Sequence, residues 1–208
     1  MRDLEIRGAG NLLGPQQSGH INAVGLDLYT RMLKDEVARL KGEESHEAVE
    51  AKISIPLPAF LPESYVRDTE ERMDIYRRIA AQTEGAGVRG IGEELRDRFG
   101  PPPEQARNLL LLVNLRIRAA SIGLARAEME GAATLIVEFA PGRTPGKKAL
   151  GKLAEEFEGR ISFDTLRGLK IRIGALPAMT GDGKAAAPVR DRAADLEKIL
   201  NLLEFYAT

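Results

Sequence analysis

The helix at the centre of the fold is predicted by residues 100–122, GPPPEQARNLLLLVNLRIRAASI. Gly100-Pro101 ends a preceding helix, and Pro102-Pro103 suits the first turn of a new one. Apolar residues then occupy much of the helix circumference, which is typical of a helix buried on most sides. These residues are Leu109, Leu110, Val113, Leu115, Ile117 and Ala120. We therefore expect a central helix that ends near Ile122.

Two shorter helices are predicted before this central helix. The first, over 68–82, begins at a capping box in which Asp68 caps the helix and Glu71 reaches back to Asp68. Its apolar face carries Met73, Tyr76, Ile79 and Ala80. The second, over 92–99, is indicated by Ile91, Leu95 and Phe99, which recur at helical spacing.

Alternating apolar residues predict a small, mainly antiparallel sheet around these helices. Ile53, Ile55 and Leu57 indicate a short strand, which Pro56 places at a sheet edge or a strand end. A second strand is indicated by Ala133, Leu135, Val137 and Phe139. A hairpin turned at Arg167-Gly168 is indicated by Ile161 and Phe163, followed by Leu169, Ile171 and Ile173.

Two further helices complete a compact α+β domain, which we expect to span residues 50–208. One helix is predicted over 147–157, and the other over about 189–206. The last helix packs through Leu196, Ile199, Leu200 and Leu203. Residues 175–188 are rich in glycine, alanine and lysine, and predict a mobile loop between strand and helix.

Residues 1–45 form a separate segment with little core of its own. Glycines interrupt residues 8–19 and indicate loops with short turns. A helix is predicted from about Asn22 to about Leu40, where Gly42 is suited to end it. Residues 42–50 are polar and acidic, as expected of a linker.

Composition excludes several classes of function. The 30 basic residues balance 31 acidic ones, so the chain lacks the basic excess of a free-standing DNA-binding protein. It has no cysteine, and neither His20 nor His46 has a second histidine at metal-binding spacing, so we expect no metal site. No apolar run approaches the roughly 20 residues of a membrane helix, and we expect a cytoplasmic chain that contacts no membrane.

Catalytic motifs are equally lacking. No phosphate-binding loop of the G-x-x-x-x-G-K-[ST] type is present, and Gly8-Ala9-Gly10 lacks the strand and helix of a dinucleotide site. The turn at 180–184 follows no apolar strand. Glu70-Glu71 and Glu155-Glu156 are adjacent carboxylates, and adjacent helical positions do not face each other. We therefore expect a non-catalytic binding or structural module.

Four stretches carry a resemblance to a known family. Residues 2–19, RDLEIRGAGNLLGPQQSG, closely resemble the TRG (translocation in RecG) motif, which the RecG helicase shares with the transcription-repair coupling factors (Mfd). The continuation at 20–29 favours the coupling factors. Residues 61–66, 71–78 and 94–102 look like the C-terminal domain of that family, whereas RecG ends soon after its TRG motif.

The resemblance implies that residues 1–45 couple ATP hydrolysis, by motor lobes upstream of this chain, to movement on double-stranded DNA. Arg7 and Gln17 match the functional positions of the motif. The other candidate motif residues are Arg2, Gly8, Gly10, Gly14 and Gly19. ATP and magnesium would belong to the motor lobes of the parent protein, and no cofactor to this chain.

For residues 50–208, the resemblance implies an autoinhibitory clamp. Such a clamp packs on the N-terminal, repair-facing region of the parent, masks the surface that recruits UvrA, and restrains the motor until RNA polymerase engages. The candidate contacts are Glu70, Arg77, Arg78 and Arg98. The alternatives are a fragment of a RecG-type DNA-remodelling helicase, a stand-alone protein-interaction module, and a small hydrolase whose site the sequence does not reveal.

Overall fold

The computed structural model of the chain describes residues 51–131, 133–165, 168–174 and 189–207. The predicted segment 1–45, the linker at 42–50 and the loop at 175–188 lie outside the described residues. Within the described ranges, the chain forms five helices and one five-stranded sheet, so the predicted α+β class is confirmed. None of these helices is long and apolar enough to cross a membrane.

The strands are β1 (Lys52–Ser54), β2 (Leu124–Glu130), β3 (Thr134–Phe139), β4 (Ile161–Asp164) and β5 (Lys170–Ile173). The helices are α1 (Thr69–Ala80), α2 (Gly85–Phe99), α3 (Glu104–Ser121), α4 (Lys147–Glu156) and α5 (Val189–Ala207). The sheet has the order β1-β2-β3-β5-β4, in which only β1 and β2 pair in parallel. The predicted mainly antiparallel sheet is confirmed, with β1 at an edge and Pro56 just beyond it.

Helix α3 is the central helix, because its two sides enter two different hydrophobic cores. Leu112 and Leu115 pack into the core beneath the sheet. Leu109 and Val113 pack into a second core with α1 and α2. The prediction was wrong at Ala120, which is exposed. Ala120 lies about 140° around the helix from Leu115, and therefore points away from the sheet core.

Helix α2 begins at Gly85, well before the predicted start at 92, although glycine weakens a helix. Val88, Ile91 and Leu95 are buried at the spacing of one helical face, and their burial offsets the low propensity of the glycines. Gly92 also lies close to α3, since a Cβ atom there would be 3.2 Å from Cδ1 of Leu110. The small residue at Gly92 therefore suits the close approach of α2 to α3 at that position.

The sheet has one apolar and one charged face. The apolar face packs into the core with α3, α4 and α5, and carries Ala127, Leu135, Val137, Ile171 and Ile173. The opposite face carries cross-strand ion pairs, such as Lys170 Nζ to Glu138 Oε1 at 2.5 Å. Strand β2 escaped prediction because Arg126, Glu128 and Glu130 lie among its residues and only Leu124 and Ala127 are buried.

The C-terminal elements follow the sequence closely. Helix α5 buries all four of its predicted packing residues, Leu196, Ile199, Leu200 and Leu203. Strands β4 and β5 pair as the predicted antiparallel hairpin. Gly168 has φ +110°, a backbone conformation that favours glycine, at the point where the hairpin turns.

Candidate functional site

The four predicted interface residues all lie on α1 and α2, but the structure uses them differently. Arg78 and Arg98 are joined through the carboxylate of Glu94. Glu70 is exposed in the first turn of α1. Arg77 Nη1 lies 3.9 Å from Asp74 Oδ1, and both of these side chains are 59% exposed. Glu70 and Arg77 therefore remain at the outer surface.

An ion chain joins α1 to α2 through Arg78, Glu94, Arg98 and Glu71, in that order. Oε1 of Glu94 accepts hydrogen bonds from Nη1 of Arg78 and Nη1 of Arg98, each at 2.9 Å. The second Nη of Arg78 donates to Oε2 of Glu94, and the second Nη of Arg98 donates to Glu71. Two guanidinium groups and two carboxylates thus alternate across the helix pair, and we call them the α1–α2 ion chain.

The opposite charges of the α1–α2 ion chain stabilise one another in their ionised forms. The hydrogen bond from Arg78 holds the pKa of Glu94 at about 2, well below 4.5, with Arg98 acting in the same direction against partial burial. The same hydrogen bonds raise the pKa of Arg78 and of Arg98. All three groups are therefore charged at neutral pH.

Aromatic and backbone contacts hold the C-terminal end of α2, next to the α1–α2 ion chain. The Arg98 guanidinium lies 5.0 Å from the centre of the Phe99 ring, and Phe99 meets Tyr65 edge to face at 5.8 Å. The Tyr65 hydroxyl lies 3.0 and 2.9 Å from the carbonyl oxygens of Leu95 and Gly100, which share its one O–H donor. The C-terminal turn of α2, which carries Arg98, is thereby held against the segment before α1.

The start of α1 confirms half of the predicted capping box. Asp68 Oδ1 accepts a hydrogen bond of 2.8 Å from the backbone N–H of Glu71, as predicted for a cap. The prediction for the Glu71 side chain was wrong, because its carboxylate contacts Arg98 instead of reaching back to Asp68. A charged guanidinium is a stronger partner than a backbone N–H, so Glu71 joins α1 to α2.

Glu94→Gln is expected to lower the free energy of unfolding by about 1 kcal/mol near pH 7, because the side chain is partly exposed and ion pairs at a surface contribute little. The pKa of Glu94 is lower in the folded chain, so its contribution is complete above about pH 4.5 and is lost as the pH falls toward 2. Denaturant unfolding of the wild type and the variant should therefore show a difference that narrows over this range.

Glu93→Gln is the matched control, since Glu93 is the exposed neighbour of Glu94 on the same helix. It should change stability by less than about 0.5 kcal/mol, as substitutions at exposed positions generally do. If the difference in unfolding free energy between the wild type and Glu94→Gln stayed constant from pH 5 to pH 2, this would contradict the assigned role of the carboxylate.

Sequence reasoning missed Glu71 and Glu94 as members of this surface. The available signal was the spacing of Glu94 and Arg98, which lie one helical turn apart and form an (i, i+4) ion pair.

The candidate motif residues Arg2, Arg7 and Gln17, with the glycines at 8, 10, 14 and 19, lie outside the described residues. In the described part of the chain, no group of three or more His, Cys, Asp or Glu residues could hold a metal ion.

Comparison with known proteins identifies the surface as part of a family domain. Residues 55–149 match the family described as the TRCF domain, a range that includes α1, α2, α3 and the α1–α2 ion chain. The transcription-repair-coupling factor of Bacillus subtilis is 34% identical over 176 residues, which cover 83% of this chain. The chain belongs to the transcription-repair coupling factor family. The coupling factor of Myxococcus xanthus is likewise 34% identical, over 72% of the chain.

The fold agrees with this family. The crystal structure of the C-terminal domain of a transcription-repair coupling factor matches with a TM-score of 0.58 at 18% identity, over 75% of this chain and 95% of that domain. The chain spans only 15% of the Bacillus subtilis coupling factor and 12% of the Myxococcus xanthus coupling factor. Its described residues therefore correspond to the C-terminal domain of a coupling factor, and not to the motor part.

Proposed function

We propose that this chain is the non-catalytic C-terminal part of a bacterial transcription-repair coupling factor and acts there as an autoinhibitory clamp. In this role the domain docks on the N-terminal, repair-facing region of the parent and masks the surface that recruits UvrA. The observation that carries the proposal is that the family match at 55–149 contains the charged surface of α1 and α2. On that surface, Glu70 and Arg77 lie outside the α1–α2 ion chain and are exposed.

A charged, exposed surface suits an intramolecular clamp. Interfaces between domains of one chain are modest in area and more polar than permanent interfaces. The covalent tether supplies a high effective concentration, so each contact needs to contribute little free energy. The α1–α2 ion chain holds the two helices in a fixed relation, and the outer charges of Glu70 and Arg77 are left for a partner.

The remaining roles follow from the resemblance of residues 2–19 to the TRG motif. In the proposal, Arg2, Arg7 and Gln17 couple ATP hydrolysis in upstream motor lobes to movement on double-stranded DNA. ATP and magnesium bind the motor lobes and not this chain, and RNA polymerase and UvrA are reached through the parent protein in the cytoplasm. The RecG-type alternative is not favoured, because the similar curated proteins are coupling factors.

The clamp is tested by calorimetric titration of the chain into a separately expressed N-terminal region of its own parent protein, with UvrA as competitor. We expect binding that UvrA displaces. Arg77→Glu and Glu70→Lys should each weaken this binding roughly fivefold, equivalent to about 1 kcal/mol, because charges at an interface rim contribute modestly.

Lys52→Glu is the control for these charge reversals, because Lys52 is also exposed but lies on β1. It should leave the dissociation constant unchanged. Weakening by Arg77→Glu and Lys52→Glu together with strengthening by Glu70→Lys would indicate non-specific attraction between net charges, because the first two reversals lower the net charge and the third raises it. Binding that none of the α1 variants alters would place the interface elsewhere on the domain.

A further inference from the structure

A second charged cluster lies on the other side of the domain, where β5 ends and α5 packs on the sheet. Arg192 of α5 is fully buried, with 0% of its surface exposed. Its Nη1 donates to Asp195 Oδ2 at 2.6 Å and to the carbonyl oxygen of Gly174 at 3.0 Å. Arg160 donates to the same two residues, from Nη2 to Asp195 Oδ2 at 2.7 Å and from Nε to Gly174 at 3.0 Å. We call these residues the Arg160–Arg192 cluster.

The cluster contains more positive than negative charge. Two guanidinium groups share the single carboxylate of Asp195, which is itself buried. Guanidinium groups keep their charge at all ordinary pH values, so deprotonation cannot relieve the imbalance. A buried charge is tolerated when it is paired and hydrogen-bonded, and one cation of this cluster lacks a counter-charge among the described residues.

The unused part of Arg192 has a specific shape. Its Nε and Nη2 atoms are buried and find no hydrogen-bond acceptor in the described ranges. These two nitrogens form one edge of the guanidinium group, with two N–H bonds that point in parallel. That edge matches the paired oxygens of a carboxylate or phosphate, which it binds through two hydrogen bonds.

We infer that the Arg160–Arg192 cluster is a binding site for an oxyanion. Two oxygen atoms of the oxyanion accept hydrogen bonds from Nε and Nη2 of Arg192. A carbonyl oxygen or a water molecule would accept these hydrogen bonds but would leave the charge unbalanced, whereas an oxyanion does both. Arg160 provides the approach from solvent, since its side chain is 14% exposed and that of Arg192 is not exposed at all. Arg192 and Asp195 lie on α5, Arg160 just before β4 and Gly174 just after β5, and none of them belongs to the proposed docking surface.

The Nε–H resonance of Arg192 in the complete 208-residue chain provides the direct test. It is assigned through bonds to the Arg192 backbone and followed by NMR during titration with inorganic phosphate, acetate or chloride at constant ionic strength. We expect a saturable shift with phosphate or with acetate and none with chloride. Phosphate alone would indicate a phosphate group as the natural ligand, and acetate alone a carboxylate. The absence of a saturable shift with either oxyanion would overturn the inference.

Thermal unfolding gives a second test with variants. The effective oxyanion should raise the unfolding midpoint by roughly 5 °C or more at a hundredfold excess over its dissociation constant. Arg192→Lys keeps the positive charge but loses the parallel N–H pair, and should lose this rise. Arg118→Lys is the control, because the Arg118 fork is occupied by Glu204 through contacts of 2.9 and 2.7 Å, and it should keep the rise. A folded Arg192→Lys variant that kept the full rise in unfolding midpoint would exclude Arg192 as the residue that binds the oxyanion.

Discussion

Alanine in place of Leu115 is expected to lower the free energy of unfolding by about 3–4 kcal/mol, and alanine in place of Leu109 by a similar amount. Both side chains have 0% exposure, but Leu115 lies in the core beneath the sheet and Leu109 in the core shared with α1 and α2. Each substitution removes buried methyl groups and leaves a cavity that rigid neighbours fill only in part. Denaturant unfolding followed by circular dichroism measures both effects.

The pair also tests whether α3 couples the two cores. Because one helix serves both cores, Leu109→Ala and Leu115→Ala should shift the same single transition. Two separate transitions in either variant would show that the cores unfold independently. Leu111→Ala is the matched control on the same helix, and its partly buried side chain predicts a smaller cost of about 1–2 kcal/mol. A Leu115→Ala cost no larger than that would contradict the central position of α3.

The sequence predicted α3 and α5 well because their burial follows a strong helical period. In α5, the four residues predicted to pack are all buried. In α3, Leu109, Val113 and Leu115 were correctly placed in the interior. Long helices with a wide apolar stripe carry their own signal, because the core they enter requires one side of the helix to be apolar whatever its partners are.

Elements whose stability depends on distant partners were harder to predict. The glycines at the start of α2 suggest a loop, and only the burial of Val88 and Ile91 in the folded domain accounts for a helix there. Strand β2 has charged residues at alternate positions, and it is recognisable only once β1 and β3 pair on its two sides. Pairing between strands far apart in sequence is not visible in the local pattern of one strand.

The same limit applies to the charged residues of the candidate site. Arg77 and Arg78 are adjacent and equivalent in the sequence, but Arg78 lies opposite Glu94 on α2 and Arg77 faces outward. Arg192 was not singled out at all, since arginine is rarely fully buried. Its position became evident only with the carboxylate of Asp195 and the carbonyl group of Gly174 around it.

Asp195→Asn is expected to lower the free energy of unfolding by about 3 kcal/mol near pH 7, an effect close to that of a core truncation. The substitution keeps the shape of the side chain but removes the single carboxylate shared by Arg160 and Arg192. Two guanidinium groups would then face each other in a largely buried site, where repulsion is weakly screened. The measurement is denaturant unfolding in a buffer free of phosphate and carboxylates, so that no added oxyanion compensates for the loss.

Glu156→Gln provides the comparison, because Glu156 pairs with Lys198 between α4 and α5 at 2.9 Å in an exposed setting. That pair should contribute at most about 1 kcal/mol, since water and salt screen it and its side chains lose entropy on pairing. An Asp195→Asn cost as small as that of Glu156→Gln would mean that solvent already reaches the Arg160–Arg192 cluster. If Asp195→Asn caused a large loss of unfolding free energy and added phosphate recovered part of it, an oxyanion would be shown to take over part of the role of the carboxylate.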